Sequence, residues 1–181
     1  MRETYHEPVR VPVERLIGEL TEVRAASASD ADLLVDWHAS PEVSRYWDGE
    51  TFTRDEMLAR LARDDVDASI VEAEGEPVGY LQAWFEPGTD DGGLDMFLVP
   101  EARGRGLGSD AARTLADWLL GTGAVRRLTV DPYHWNAAAI RAWTRAGFRS
   151  VETRDADADH TDPWLLMVLD AQKRGIVHGA S

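Results

Sequence analysis

Apolar residues recur at two spacings along this chain, and the change from one to the other marks out its elements. Strand-like runs fall at 69–73, 78–85, 94–99, 128–130, 148–152 and 164–169, with a first strand expected within 15–25. Helical spacing appears where Leu33, Leu34 and Trp37 follow Ser29, and where Met57, Leu58 and Leu61 follow the capping-box pattern Thr53 to Glu56. It appears again over 110–120, with Ala112, Leu115 and Leu119 in register, and over 137–146, where Asn136 is the expected cap. Ser40-Pro41 starts a further short helix, with proline where its missing N–H costs nothing.

Turn residues punctuate the rest. Glu74-Gly75 joins 69–73 and 78–85 as a hairpin, Asp90-Asp91-Gly92-Gly93 is expected to break the chain, and Gly121 and Gly147 are placed to end helices. Strands come first, then helix and strand alternate. The pattern predicts one α/β (α+β) domain, a mixed sheet of about six to seven strands flanked by helices. Residues 1–13 read as an arm, 14–170 as the domain and 171–181 as a tail.

Composition narrows the chemistry. The 181 residues contain no Cys, which excludes disulfides, thiolate nucleophiles and Cys-ligated zinc. The five histidines show no metal-ligand spacing, so no metal is expected. No apolar run is long enough for a membrane span or a signal peptide, which makes the cytoplasm the expected location. The formal net charge of −14 argues against a nucleic-acid partner, because a basic face has to neutralise phosphates. It suits a small cationic ligand, though the same charge also serves solubility.

One loop carries a chemical signal. After the strand at 94–99 and Pro100 comes Arg103-Gly104-Arg105-Gly106-Leu107-Gly108-Ser109, then a helix. Glycines on alternate positions allow positive φ and close approach, and the loop amides with the free amides of a helix start form a socket for phosphate oxygens. Arg103 and Arg105 are expected to add charge. A P-loop needs Gly-Lys-Ser/Thr, and the chain's only lysine is Lys173. A dinucleotide fingerprint needs G-x-G-x-x-G, whereas this is G-x-G-x-G.

Arg103-x-x-Gly106-x-Gly108 between strand and helix resembles the pyrophosphate motif of the GNAT superfamily of N-acetyltransferases. Gly75-Glu76-Pro77-Val78-Gly79-Tyr80 resembles that family's third strand, and Asn136-x-x-Ala139-Ile140-x-x-Trp143-x-x-x-Gly147-Phe148 its motif B. The resemblance spans roughly 15–170. It implies a sheet whose fourth and fifth strands splay apart around acetyl-CoA, held by Phe97, Leu98, Val99, the loop 103–109, Asn136, Ala139, Trp143 and Arg145.

Within the superfamily the chain is similar to the aminoglycoside 6'-N-acetyltransferases. Trp47-Asp48-Gly49-Glu50, Gly79-Tyr80-Leu81-Gln82, Asp95 and Val130-Asp131-Pro132 stand where those enzymes have comparable residues. The resemblance implies an acceptor site containing Trp47, Asp48, Tyr80, Gln82, Asp95, Asp131 and Asp162. It also implies an oxyanion contact from a backbone N–H near Leu98 or Val99.

Amine attack on a thioester needs a neutral amine. Asp95 is the only polar side chain in 94–99, so its burial requires a cation or a hydrogen-bond donor. A substrate ammonium would serve and would make Asp95 the base; an arginine would satisfy it equally. The family's thiolate-protonating Tyr is replaced by Trp143, whose indole cannot give up a proton. Water or Tyr133 is left for that step, and the Trp143 ring is expected in the core. The readings open at this point are a small-polyamine N-acetyltransferase, a protein N-terminal acetyltransferase, and an acyl-CoA-binding module without turnover, each as monomer or homodimer.

Overall fold

The structure, a computed structural model, describes residues 15–171. The arm at 1–13 and nearly all of the tail at 171–181 lie outside the described residues. The elements run β1 Leu16–Ile17, β2 Glu22–Ala25, α1 Ala31–Ala39, α2 Pro41–Ser44, α3 Arg54–Leu61, β3 Val66–Ala73, β4 Glu76–Phe85, β5 Asp91–Leu98, α4 Leu107–Gly121, β6 Arg127–Val130, α5 Ala137–Ala146, β7 Arg149–Arg154 and β8 Trp164–Asp170. The strands form one sheet in the order β1-β2-β3-β4-β5-β6-β8-β7.

Two apolar layers sandwich this sheet. On one face Leu34, Val43 and Met57 from α1, α2 and α3 pack on Ile70, Tyr80 and Phe97. On the other, Ala112, Leu115 and Leu119 of α4 pack on Leu81, Leu94 and Leu128, with Trp143 and Phe148 beside them. Each fully buried leucine contributes about 1.5–3 kcal/mol, so α4 is held chiefly by this stripe. The Trp143 ring is 5% exposed and meets Phe148 edge-on, a core residue as expected.

The pairing of β5 positions the site. It runs antiparallel to β4 along its length, but parallel to β6 only from Asp91–Gly93 against Arg127–Thr129. Beyond that point the two strands diverge. This is the splay expected of the fourth and fifth strands, which are β5 and β6 in an eight-stranded sheet.

Several boundaries differ from expectation, each for a local reason. The strand expected within 15–25 is a short hairpin. Its turn is held by Asp110, whose carboxylate accepts from the amides of Glu19, Leu20 and Thr21 and from the Thr21 hydroxyl at 2.8–3.1 Å. Asp91-Gly92-Gly93 does not break the chain but opens β5; the Trp84 indole lies where a side chain at Gly93 would stand. Ser27, not Ser29, precedes the first helical turn, and its amide donates to Asp30 at 2.8 Å. The helix expected from 110 starts at Leu107, because Gly106 already serves as its cap. Gly121 lies inside the last turn, and Gly123 takes the positive φ beyond it. The Thr53–Glu56 capping box and the Asn136 cap form as the sequence predicts.

Candidate active site

The loop between β5 and α4 is shaped by two backbone angles. Gly104 (φ 74°) and Gly106 (φ 81°) are left-handed, and a Cβ on Gly104 would meet nothing within 4 Å. Conformation, not crowding, therefore requires glycine there. Gly108 differs: a Cβ would stand 3.1 Å from Met96 Cε, so its absence lets α4 lie close on β5. The first helical bond runs from Asp110 N–H to Gly106 C=O at 3.1 Å. The amides of residues 107–109 precede it without intrahelical partners, a set suited to an anion.

Beside this loop lies a groove of about 260 Å³, lined by Phe97, Leu98, Gly104, Gly106, Leu107, Gly108, Ser109, Asn136, Ala139 and Arg145 among others. Arg103 borders it with donors bonded to the protein: Nε donates to Leu98 C=O at 3.0 Å and an Nη to Glu42 C=O at 2.7 Å. These bonds brace the loop against α2, and because both acceptors are neutral carbonyls the positive charge stays at the groove. Arg105 reaches Glu74 at 3.4 Å on the surface. Val99, Arg105 and Trp143 are not among the groove's lining residues, in contrast to the expectation from sequence.

A second cavity, about 380 Å³, opens where β5 and β6 part, and meets the groove at Tyr46, Met96, Asn136 and Ala139. Its walls bring together segments distant in the chain: Trp47, Asp48 and Glu50, then Arg60, Gln82, Asp95, Asp131, Tyr133 and His160. Asp95 is half-buried, directly opposite Gln82 in the β4–β5 register. The Gln82 amide donates to its Oδ2 at 2.7 Å. The Gln82 oxygen in turn accepts from Tyr80 Oη at 2.9 Å and from Arg60 at 3.3 Å, which fixes which end of the amide faces Asp95. Burial first, then the Asp131 carboxylate, push the Asp95 carboxyl up to about 7 against the opposing effects of Gln82 and Arg60.

The antiparallel ladder also sorts the backbone donors. Val99 N–H donates to Val78 C=O at 2.9 Å, so it is not available to an oxyanion. Alternation turns the amides of Met96 and Leu98 the other way, into the splay. Of the two positions expected, Leu98 has the suitable orientation.

The remaining predicted residues divide. Tyr133 lines the acidic cavity and not the groove; its hydroxyl donates to Asp48, and burial followed by that bond raises its titration. Tyr80 is fully buried, stacked with Phe97 at 5.7 Å and pushed up to about 12 by burial, so it touches the site only through Gln82. Trp47 serves both the core, edge-on to His38 at 5.6 Å, and the cavity wall. Asp131 lines the cavity, whereas Asp162 stands outside its lining and accepts from Trp135 Nε1 at 3.3 Å. Sequence reading missed Tyr46, Arg60 and His160. Only Arg60 carried a signal, as the one arginine on the core-facing side of its helix near Met57.

Fold, splay and glycine socket together define an acyltransferase of the GNAT type. The chain belongs to that family: the acetyltransferase (GNAT) domain matches residues 26–156, and the protein is an acetyl-CoA-dependent N-acetyltransferase. It is 30% identical over 158 residues to the aminoglycoside N(6')-acetyltransferase type 1 of Klebsiella pneumoniae, covering 75% of this chain and 79% of that protein. It also matches the structure of AAC(6')-Ib in complex with paromomycin and acetyl-CoA, at 26% identity and a TM-score of 0.76 over 89% of this chain and all of that one. A RimL ribosomal L7/L12 alpha-N-protein acetyltransferase shares the fold at 16% identity, with a TM-score of 0.76 over 87% of this chain and 98% of that one. Among the described residues no helix is long and apolar enough to cross a membrane, and no cluster of His, Cys, Asp or Glu could hold a metal ion.

Proposed function

We propose that this protein acetylates a primary amine of a small polycationic acceptor, an aminoglycoside 6'-amine, with Asp95 as the base. The observation that carries the reading is Asp95 itself: a carboxylate at the head of the splay, held by Gln82, near neutrality, in a cavity that also contains Asp48, Glu50 and Asp131.

Acetyl-CoA supplies the electrophilic thioester and the leaving thiolate. The open cradle at Gly104 and Gly106 and the amides of 107–109 fit its pyrophosphate, and the groove past Asn136 and Ala139 leads its arm toward the cavity. Asp95 pairs with the acceptor ammonium and takes one proton from it, directly or through water, which frees the nitrogen lone pair for attack. A titration point near 7 suits a base working at neutral pH. The Leu98 amide, turned into the splay, would donate to the oxyanion that thioester attack generates. Tyr133 positions Asp48; the second amine proton, shed from the acylated nitrogen, would pass through water to the departing thiolate, while Asp95 returns its proton to solvent.

Thiol release from acetyl-CoA with an aminoglycoside, spermidine and a short peptide as acceptors tests the reading. The aminoglycoside should give the highest kcat/KM, and its binding should weaken with salt as surface charge is screened over about 8 Å. A peptide preferred over both polyamines would replace this reading with protein acetylation.

A further inference from the structure

His160 lines the acceptor cavity and adds a second cation there, beside Arg60, when its ring is protonated. It lies in the loop between β7 and β8, stacked on Trp164 at 4.3 Å and edge-on to Tyr133 at 6.3 Å. Nδ1 is 2.8 Å from Asp157 Oδ1, and Nε2 is 3.0 Å from Asp131 Oδ2. Carboxylate oxygens only accept, so both contacts are hydrogen bonds only when both ring nitrogens carry protons. A neutral ring would turn a lone pair toward one carboxylate.

Asp157 cannot swing away to relieve that conflict. Its Oδ1 also accepts the amides of Asp159 and His160, each at 2.9 Å, and its Oδ2 accepts from Trp164 Nε1 at 3.2 Å. Asp131 is the freer partner, its side chain 44% exposed toward the cavity while that of His160 is 16% exposed. The charges around the ring are Asp157 and Asp159 on its own loop, Asp131 after β6, Asp95 on β5, Asp48 behind Tyr133, Glu50 and Arg60 on the walls of the same cavity, and Arg154 above Trp164 at 5.1 Å. Burial lowers the His160 titration, but the bonds to Asp157 and Asp131 outweigh it and raise the value.

We propose that His160 determines acceptor specificity as a resident stand-in for a substrate ammonium, occupying Asp131 when protonated and releasing it to the acceptor when neutral. The inference rests on the polycationic-acceptor reading above. An acceptor with several ammonium groups has to displace the imidazolium from Asp131 or forgo that contact. An acceptor with one amine needs only Asp95 and is indifferent. Polyamine binding therefore tightens as pH rises through the His160 titration, a range in which most acceptor amines remain charged.

The test uses kanamycin as the polyamine and 6-amino-6-deoxyglucose as the monoamine. From pH 6 to 7.5 the KM for kanamycin should fall about fivefold more than that for the monoamine, whose own change reports the ionisation of Asp95 alone; the extra fall is within the ordinary range of site coupling. His160→Gln should reduce the kanamycin slope to that of the monoamine, so that the two substrates change in parallel with pH. Linkage supplies a readout independent of turnover: bound kanamycin must lower the His160 titration, followed by imidazole NMR, by the same factor. A titration unmoved or raised by kanamycin overturns the inference, even if kanamycin is acetylated. A KM raised equally at every pH by His160→Gln reduces the residue to a structural brace and also overturns it. If kanamycin neither binds nor is acetylated, the acceptor reading falls and this inference with it.

Discussion

The two halves of the site are built from different materials. The groove proposed for the coenzyme has its loop end shaped by backbone: left-handed glycines, the unpaired start of α4, and the Asn136 cap, whose side chain accepts from Ala139 N–H at 3.1 Å. The acceptor cavity is made of side chains, several of them charged, converging from six separate segments. A backbone socket recognises a feature common to every coenzyme A thioester. A side-chain cavity can be re-cut one residue at a time. The contrast explains how a family can keep one reaction while changing its acceptor, and it predicts that mutations in the halves fail in different ways.

The largest effect should come from the cavity. Asp95→Asn is expected to lower turnover by roughly 10²-fold or more and to leave acetyl-CoA affinity unchanged by calorimetry. The same substitution should stabilise the fold at pH 8. The native Asp95 titrates at about 7, above its ordinary value of 3.8, so its carboxylate costs stability as pH rises between those points. Asparagine removes that cost; the gain in Tm should therefore shrink as pH falls from 8 toward 5. In the wild type, kcat should drop as pH falls below about 7. Full turnover by the Asn variant would place the base elsewhere.

The groove should break through binding instead. Gly106→Val forces a β-branched residue to φ 81°, and acetyl-CoA should bind at least tenfold more weakly, about 1.4 kcal/mol, in a protein folded by circular dichroism. Wild-type affinity would refute the socket.

Gln82→Leu sharpens the comparison within the cavity. The Gln82 donor favours the charged form of Asp95, so removing it should move the midpoint of the kcat–pH profile upward and lower kcat about tenfold at pH 7. An unmoved midpoint would mean that the amide does not tune the carboxylate. Arg103→Lys should have the smallest effect. Lysine cannot span Leu98 C=O and Glu42 C=O together, which should weaken acetyl-CoA binding about threefold. Its salt dependence should match that of the wild type; a flatter slope would show that Arg103 touches the phosphates directly.

How much of this was readable in sequence follows the same division. The glycine loop, the Thr53 and Asn136 caps, and the Glu74-Gly75 turn were legible because each is a local agreement between residue type and backbone angle. The Gly92-Gly93 stretch misled for the opposite reason. Its glycines make room for Trp84 on the neighbouring strand, a contact that no local window contains. The placement of Asp95 was legible as a lone polar residue in an apolar strand, but its partner Gln82 became known only from the β4–β5 register. Arg103 shows the limit of reading charge from position: its place in the loop was legible, but not that it also braces Leu98 C=O and Glu42 C=O.

By itself, then, the sequence determined the elements, the sheet-based class and the glycine loop before α4, because these depend on spacing and on backbone conformation within a few residues. Only the tertiary structure decided that β5 and β6 part after Gly93, that Val99 N–H is consumed while Leu98 N–H is not, and that His160 meets Asp131 across 29 positions of chain. Those facts depend on register and on long-range packing, in which a displacement of one residue turns every side chain to the opposite face.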